Sequence, residues 1–295
     1  MRIISEVYRE GLAAINQAAD RLSNAERQLS SGRRVNAASE DPRGVQQAIG
    51  AHGSLARVDA YTATGNSASA RLAAADSALA SFVDKLTSAL STAHGARGSS
   101  ATATTRAAAA TEIRALRDGL ASDLNVSFDG TYLFSGSRTT DPAWVNSGSG
   151  WTYQGDASPV QVEVDRGRLV SVSFDGQAIA QGTDPEDVFT VLDNLAASIE
   201  AGDDAAVTTG IDALERAFDR AAVTQGRLGA AERTVEDTSL RLSAVRVAAE
   251  SRRSKLEDTD LAGAITALNQ ADTAYRGALG AVSSAERQSL LDYLR

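Results

Sequence analysis

The side chains best suited to metal or acid–base chemistry are two histidines and one short acidic group. His52 and His94 stand alone, without a second histidine or an acidic cluster at metal-binding spacing, so we expect surface or packing roles for both. Glu257, Asp258 and Asp260 lack the glycine and the loop spacing of a calcium motif. Because a helical pattern starts directly after Asp260, helix capping explains this group, and the sequence predicts no metal site.

Motifs of nucleotide-binding and hydrolytic enzymes are missing from the sequence. It contains no Walker loop, no Gly-x-Ser-x-Gly elbow and no His-Glu-x-x-His pair. Cysteine is also absent, which excludes disulfides, thiolate zinc sites and cysteine nucleophiles. We predict that the chain is not an enzyme and uses no cofactor.

Two adjacent arginines and an asparagine form the remaining polar motif. Arg33, Arg34 and Asn36 follow a Ser-Ser-Gly turn, and two guanidinium groups in a tight turn can reach acidic groups on a neighbouring subunit. A plain helix–helix connection explains residues 30–42 equally well. The chemistry of these residues does not choose between the two interpretations.

Both ends of the chain carry apolar residues at seven-residue spacing, which is typical of a coiled-coil seam. A helix with one apolar stripe needs a partner helix, and the simplest partner is the other end of the chain. The two stripes lie at the extreme termini, where the helices of a monomer fray. This position favours assembly with neighbouring subunits over a helical bundle within a single chain. The seam residues are Ile4, Tyr8, Ile15, Leu22 and Leu29 near the start, and Leu261, Ile265, Leu268, Tyr275, Leu279 and Val282 near the end.

Charge is distributed unevenly along the 295 residues. The net charge is -9, yet residues 123–215 hold sixteen acidic residues against three arginines. This pattern predicts a solvated, repulsive middle and ends that are free to pack. Because no basic stripe occurs, we expect no nucleic-acid partner.

The sequence predicts neither a secretory signal nor a membrane span. The first residues lack the apolar stretch of roughly 7 to 15 residues that a signal peptide needs, and no apolar run approaches about 20 residues. If the protein leaves the cell, we expect another route, without insertion into a membrane.

The sequence pattern predicts mainly α structure with one β-rich insertion. A first helix should run from about residue 5 to 29, and a second should start at Asp41-Pro42, where Asp41 caps the first turn. Breaks are expected at residues 94–105, 201–204 and 225–229. Valines alternate on both sides of a turn at residues 165–168, which predicts a hairpin, and Trp151 with Tyr153 predicts a preceding strand.

These elements predict an elongated antiparallel helical rod. We expect five segments, namely an N-terminal assembly helix with its loop (1–44), an ascending helical half (45–130), a β-rich outward domain (131–183), a returning helical half (184–255) and a C-terminal assembly helix (256–295). Within the β-rich segment, the apolar triplet Tyr132-Leu133-Phe134 is expected to form the core rather than a ligand site.

Three stretches of the chain resemble the flagellin superfamily and, within it, the hook-associated proteins 3 of the hook–filament junction. Residues 28–36 with 40–42 are shared across the superfamily. The second stretch is residues 129–136, and the third runs from residues 256–261 through Ile265 to residues 289–294. Both are narrower, and the second with the ending Leu290-Leu291-Asp292-Tyr293-Leu294 is similar to the junction family rather than to filament flagellins. The resemblance does not extend to residues 137–183.

The resemblance implies a structural adaptor, exported through the flagellar type III apparatus without a cleaved signal peptide and located outside the cell. Its implied partners are further copies of the chain, the hook-side junction protein, flagellin, and an export chaperone at the C-terminal helix. It adds Leu290, Tyr293 and Leu294 to the assembly interface.

Two other functions remain open at this point. A minor or short flagellin would polymerise into the filament itself. A cytoplasmic helical scaffold would have a helix-only middle, which the predicted hairpin disfavours.

Overall fold

The computed structural model describes residues 2–98, 102–148 and 150–293, and the side chains of residues 9–284 within those ranges. The described residues form seven helices and six short strands. In chain order these are α1 (Arg2–Ser31), α2 (Pro42–Gly95), α3 (Ala103–Leu124), β1 (Ser127–Phe128), β2 (Thr131–Tyr132), β3 (Trp144–Asn146), β4 (Trp151–Tyr153), β5 (Gln161–Asp165), β6 (Arg168–Ser171), α4 (Gly176–Ala180), α5 (Val188–Ala201), α6 (Asp204–Glu257) and α7 (Leu261–Tyr293). The mainly helical fold with a small β-rich insertion is thus confirmed.

The chain divides into two compact units. One consists of Met1–Val58 and Ala244–Arg295, and the other of Asp59–Ser243. In the first unit α1 packs antiparallel against α7, so that Gly11 lies against Val282. The backbone of Arg33 lies opposite that of Asp258 in an isolated antiparallel bridge. The predicted pairing of the two terminal helices is confirmed.

Helix boundaries follow the capping residues in the sequence. The Asp41 carboxylate accepts a hydrogen bond from the Gly44 amide at 2.8 Å directly before α2, as expected. Thr102 caps α3 and Asp187 caps α5. Gly202, with a φ of 72°, ends α5 in the left-handed conformation that glycine adopts without strain.

The predicted break at residues 225–229 is wrong, because α6 continues through it. Gly226 and Gly229 each cost a helix about 1 kcal/mol relative to alanine. Leu228 lies between them and is fully buried in the core of the second unit. Burial of such a side chain contributes about 1.5–3 kcal/mol, and Ala221 and Val235 of the same helix are buried as well, so that burial together offsets the local cost of both glycines.

The β-rich insertion consists of three separate antiparallel hairpins. The predicted hairpin appears as β5 and β6, and the predicted strand at Trp151 pairs with β3. Between β1 and β2, Asp129 and Gly130 both have positive φ, which suits a tight two-residue turn. The hairpin of β3 and β4 packs on α5 through Phe189, whose ring centroid lies 5.1 Å from that of Trp144 and 4.8 Å from that of Trp151.

Candidate assembly interface

Small residues bring α1 and α7 together. Ala18 and Ala25 of α1 are buried, as are Ala264 and Ala271 of α7. Alanine lets two helix backbones approach closely, so the larger side chains flank the contact. Those described as half-buried are Ile15, Leu22, Leu29, Leu268, Tyr275 and Val282.

Three predicted seam residues of α7 do not lie in this contact, which corrects the prediction. Leu261, Ile265 and Leu279 are 55%, 49% and 43% exposed. The positions that complete the helix pair are Ala264, one residue before Ile265, and Ala271, three residues after Leu268. A bulky branched side chain in place of Ala264 or Ala271 would hold the two helices apart. Leu261, Ile265 and Leu279 lie outside the contact and form an exposed apolar face of α7.

Some predicted interface residues cannot be located in full. Ile4, Tyr8, Leu290 and Tyr293 belong to α1 or α7, but their side chains lie outside the described residues, and Leu294 lies outside them altogether.

The loop after α1 binds the turn between α6 and α7. Gly32 accepts a hydrogen bond from the Thr259 amide at 3.0 Å, and the Arg34 amide donates to the Glu257 carbonyl at 2.7 Å. These backbone bonds join residues more than two hundred positions apart. They hold the inner ends of α1 and α7 together.

Arg34 binds residues of its own chain at this corner, and its predicted contact with a neighbouring subunit stays a prediction. Its guanidinium donates to the Leu256 carbonyl through Nε at 3.2 Å and through a terminal nitrogen at 3.0 Å. The same terminal nitrogen lies 3.1 Å from the Asp41 carboxylate. The Arg33 side chain, in contrast, is exposed and makes no hydrogen bond or ion pair with any described residue.

Asn36 also acts locally, since its amide nitrogen Nδ2 donates to the Arg33 carbonyl at 3.3 Å. Its backbone amide donates to Glu40 at 2.9 Å, and this bond, with a second from Ala37, lowers the pKa of Glu40. The Gly44 amide and the Arg34 guanidinium likewise lower the pKa of Asp41. Both carboxylates therefore keep their charge to lower pH than they would outside this loop.

Sequence reasoning missed the role of His52. Its Nε2 lies 2.8 Å from Glu257 Oε1, which joins α2 to the end of α6. The two residues are 205 positions apart, so no local pattern could have indicated the contact. Asp260 caps α7 as predicted, because its carboxylate accepts from the Ala262 amide at 3.1 Å.

In the second unit, the motif at residues 129–136 forms the centre of the β-rich insertion. Leu133 and Phe134 are fully buried, which confirms their predicted core position. The Tyr153 hydroxyl lies 3.1 Å from the Phe134 carbonyl and 3.2 Å from the Asp156 carbonyl, and it accepts from the Gly176 amide at 3.3 Å. Partial burial of the hydroxyl raises the pKa of Tyr153, and the negative charge of the nearby Asp175 raises it further.

Glycine is required where these backbones meet. A Cβ on Gly136, whose φ is 64°, would lie 2.0 Å from the Asp156 carbonyl oxygen, and a Cβ on Gly176 would lie 2.6 Å from that of Phe134. The motif therefore forms a tightly packed structural centre of the insertion.

Comparison with known proteins identifies the family. Residues 7–139 match the bacterial flagellin N-terminal helical region, and residues 211–294 match the bacterial flagellin C-terminal helical region. The chain belongs to the flagellin family. No curated protein matches this flagellin-family chain.

Solved structures show the same fold at low sequence identity. A protein of Vibrio parahaemolyticus described as a flagellar hook-associated protein superposes with a TM-score of 0.71 at 19% identity, over 74% of this chain and 100% of its own. FlgL of Xanthomonas campestris superposes with a TM-score of 0.61 at 18% identity, over 70% of this chain and 99% of its own. The flagellar junction protein FlgL of Legionella pneumophila superposes with a TM-score of 0.62 at 13% identity, over 72% of this chain and 100% of its own.

Two further features of the described residues bear on the kind of site. They contain no group of three or more metal-binding side chains. Among the described helices, none combines the length and apolarity needed to cross a bilayer.

Proposed function

We propose that this flagellin-family chain is a structural adaptor that joins the bacterial flagellar hook to the flagellin filament. One observation carries the proposal: the paired α1 and α7 leave Leu261, Ile265 and Leu279 exposed on one helix. Apolar side chains of this size are stabilised when a neighbouring subunit covers them. The similarity of fold to proteins named for the hook and its junction supports an adaptor rather than a filament subunit.

The proposed partners follow from this position at the junction. Further copies of the chain would cover α7 within a ring, and the hook-side junction protein and flagellin would contact the ring on its two sides. Before export, the exposed apolar residues of α7 need another cover, which an export chaperone at the C-terminal helix would supply. The protein would be secreted without a cleaved signal peptide and act outside the cell, with no catalytic role.

Imaging of flagella from a deletion strain tests this function. We expect bare hooks and unpolymerised flagellin in the medium, because flagellin would lack the surface on which its first subunits assemble. Filaments of normal length on such cells would contradict the adaptor proposal.

The alternative of a minor flagellin predicts a different behaviour of the purified protein. A filament subunit grows long filaments by itself, whereas an adaptor forms at most rings. Electron microscopy of the concentrated protein separates the two functions.

We also propose that α1 and α7 become stably ordered only in the assembly. Their contact buries mostly alanine, and helix pairs with little buried apolar area are marginal in water. Amide hydrogen exchange should be fast across residues 4–29 in dilute monomer and slow in detached flagella. Strong protection in the monomer would refute this.

A further inference from the structure

A groove with an apolar floor lies in the second unit, between α2 and α6. It has a volume of about 340 Å³, and its lining includes the carboxylates of Glu232 and Glu236 but no lysine or arginine. Val164, Val235 and Leu242 are buried and form the floor. This groove, which we call the acidic groove, suits a long side chain whose apolar stem contacts the floor and whose charged end stays near water.

The two carboxylates are one helical turn apart on α6. Neither Glu232 nor Glu236 makes a hydrogen bond or an ion pair with any described residue. Glu232 is half-buried, and its burial, together with the negative charge of Asp76, raises its pKa. A cation in the groove would therefore be stabilised by two carboxylates that lack a described counter-charge.

The arginines nearest along α6 do not neutralise these carboxylates. Arg233 is exposed and does not line the groove, and Arg241 forms an ion pair with Asp165. The opposite wall, on α2, is uncharged and includes Tyr61 and Asn66. Charge complementarity thus favours a cationic occupant.

The densest group of cations in the sequence lies near the end of α6, in the first unit. Residues 252–255, which we call the basic stretch, hold Arg252, Arg253 and Lys255. Arg252 and Lys255 are exposed and make no hydrogen bond or ion pair with any described residue. The basic stretch therefore carries the kind of side chain that the acidic groove selects, a cation on a long apolar stem.

Acidic residues on either side of the basic stretch already have partners. Glu250 lies 3.0 Å from Arg246, and Glu257 lies 2.8 Å from His52. In the proposed assembly, further copies of the chain surround each acidic groove, so their basic stretches are present there at a high local concentration.

We propose that the acidic groove receives the basic stretch of a second copy of the chain, with Arg252 and Lys255 of that copy facing Glu232 and Glu236. Each pair lies on one face of its helix, because residues three or four positions apart are neighbours. The two surfaces differ, so each copy can accept one neighbour and be accepted by the next, which builds a ring or a helix. The inference rests on the proposed assembly function and names the residues of one subunit contact.

Carbodiimide cross-linking tests the contact in the unmodified chain, because this reagent joins a lysine amine to a carboxylate that touches it. Besides Lys255, the sequence contains one lysine, Lys85, which lies 2.7 Å from Asp123. In detached flagella, mass spectrometry of the digest should find Lys255 joined to Glu232 or Glu236. Within one copy these residues are at least 19 positions apart on one continuous helix, roughly 28 Å, so the link can form only between copies.

Lys255→Arg is the matched control. It keeps the positive charge, but a guanidinium is not joined to a carboxylate by the carbodiimide. This variant should incorporate into flagella normally and lose the link. The unmodified chain in dilute solution should also lack the link, because copies are then apart.

The outcomes separate this contact from the function as a whole. Presence of the chain in detached flagella reports the assembly function, and the link reports the contact. Unlinked Lys255, or Lys255 joined only to other carboxylates, would overturn the contact alone. A link from Glu232 or Glu236 to a different protein would overturn the second copy as the occupant. If the chain is absent from flagella, the function fails, and the same link in the concentrated purified chain decides the contact.

Charge exchange tests the pairing of the four side chains. Arg252→Glu with Lys255→Glu, and Glu232→Arg with Glu236→Arg, should each reduce incorporation at least about tenfold, since like charges then face each other across the contact. All four substitutions in one chain should restore incorporation, because opposite charges then meet again at every contact.

A folding measurement accompanies these variants. Circular dichroism should show the helix content of the unmodified chain, since the four side chains make no hydrogen bond or ion pair with described residues of their own chain. Normal incorporation of either folded double variant, or no rescue by the folded fourfold variant, would refute the pairing.

Discussion

Arg34 donates two hydrogen bonds, of 3.2 and 3.0 Å, to the carbonyl of Leu256, which lies 222 residues later in the chain. These bonds satisfy a carbonyl at the end of α6, where helix carbonyls have no partner within the helix. They also fix the loop after α1 to the segment that leads into α7. The inner ends of the two terminal helices are joined by this contact.

Replacement of Arg34 should therefore loosen this corner. Arg34→Ala should speed exchange of the Arg34 and Thr259 amides and destabilise the first unit by about 1–2 kcal/mol, because charge-assisted bonds to a carbonyl are lost. Hydrogen exchange followed by mass spectrometry and thermal unfolding measure the two effects. Arg33→Ala is the matched control and should leave both unchanged, and equal effects of the two variants would contradict the assignment.

The same loop should lose stability in acid. The pKa of Asp41 is lowered by the Gly44 amide and Arg34, and that of Glu40 by the Asn36 and Ala37 amides. The stabilisation from the two ionised carboxylates is present above their unfolded-state pKa values of about 4. It is lost as the pH falls through their lower folded-state pKa values. Exchange of the Gly44 and Asn36 amides, corrected for intrinsic rates, should rise in that range. Asp41→Asn should remove the pH dependence at Gly44.

Two glycine substitutions should have opposite effects on the second unit. Gly176→Ala places a Cβ 2.6 Å from the Phe134 carbonyl oxygen and should lower stability by about 1–3 kcal/mol. Gly226→Ala lies in α6 with open space around it and should raise stability by about 0.5–1 kcal/mol. Melting temperatures of the two variants measure the contrast. An unchanged melting temperature in Gly176→Ala would mean that the backbones are not in close contact.

The half-buried hydroxyl of Tyr153 should make the second unit sensitive to alkali. Because the pKa of Tyr153 is raised in the folded chain, its contribution is complete below the unfolded-state value of about 10 and is lost as the pH rises above it. Tyr153→Phe should cost about 1–2 kcal/mol at neutral pH and weaken this alkaline loss. The free energy of unfolding from denaturant titrations at several pH values tests both. Tyr61→Phe, whose hydroxyl makes one 3.4 Å bond at the surface, should change stability by less than about 0.5 kcal/mol.

The exposed face of α7 should be needed for assembly but not for folding. Leu279→Asp should abolish incorporation into flagella, because a buried aspartate replaces an apolar side chain that contributes about 1.5–3 kcal/mol at each contact. Ala274→Asp, at another exposed position of the same helix, adds the same charge and should still incorporate. Immunoblots of detached flagella and of cell lysates compare the variants. Normal incorporation of Leu279→Asp would contradict the assembly role of this face.

Local patterns in the sequence determined much of this molecule. The spacing of apolar residues predicted α1 and α7 and their pairing, because each stripe must be covered. Asp41-Pro42 and Asp260 predicted helix starts, since capping depends on neighbouring residues alone. Alternating valines predicted the hairpin of β5 and β6. Residues 28–36 with 40–42 indicated the flagellin superfamily, and the motif around Phe134 resembled the junction family within it.

Tertiary structure decided what depends on residues far apart in the chain. It selected Ala264 and Ala271 rather than Ile265 and Leu279 for the contact with α1, because the distance between two helices depends on both surfaces together. It gave the Arg34 side chain two hydrogen bonds to Leu256, whereas the adjacent Arg33 side chain has no such bond to a described residue, a difference that the Arg-Arg pair in the sequence does not indicate. It also carried α6 through two glycines, since the burial of Leu228 together with Ala221 and Val235 offsets the local cost of those glycines.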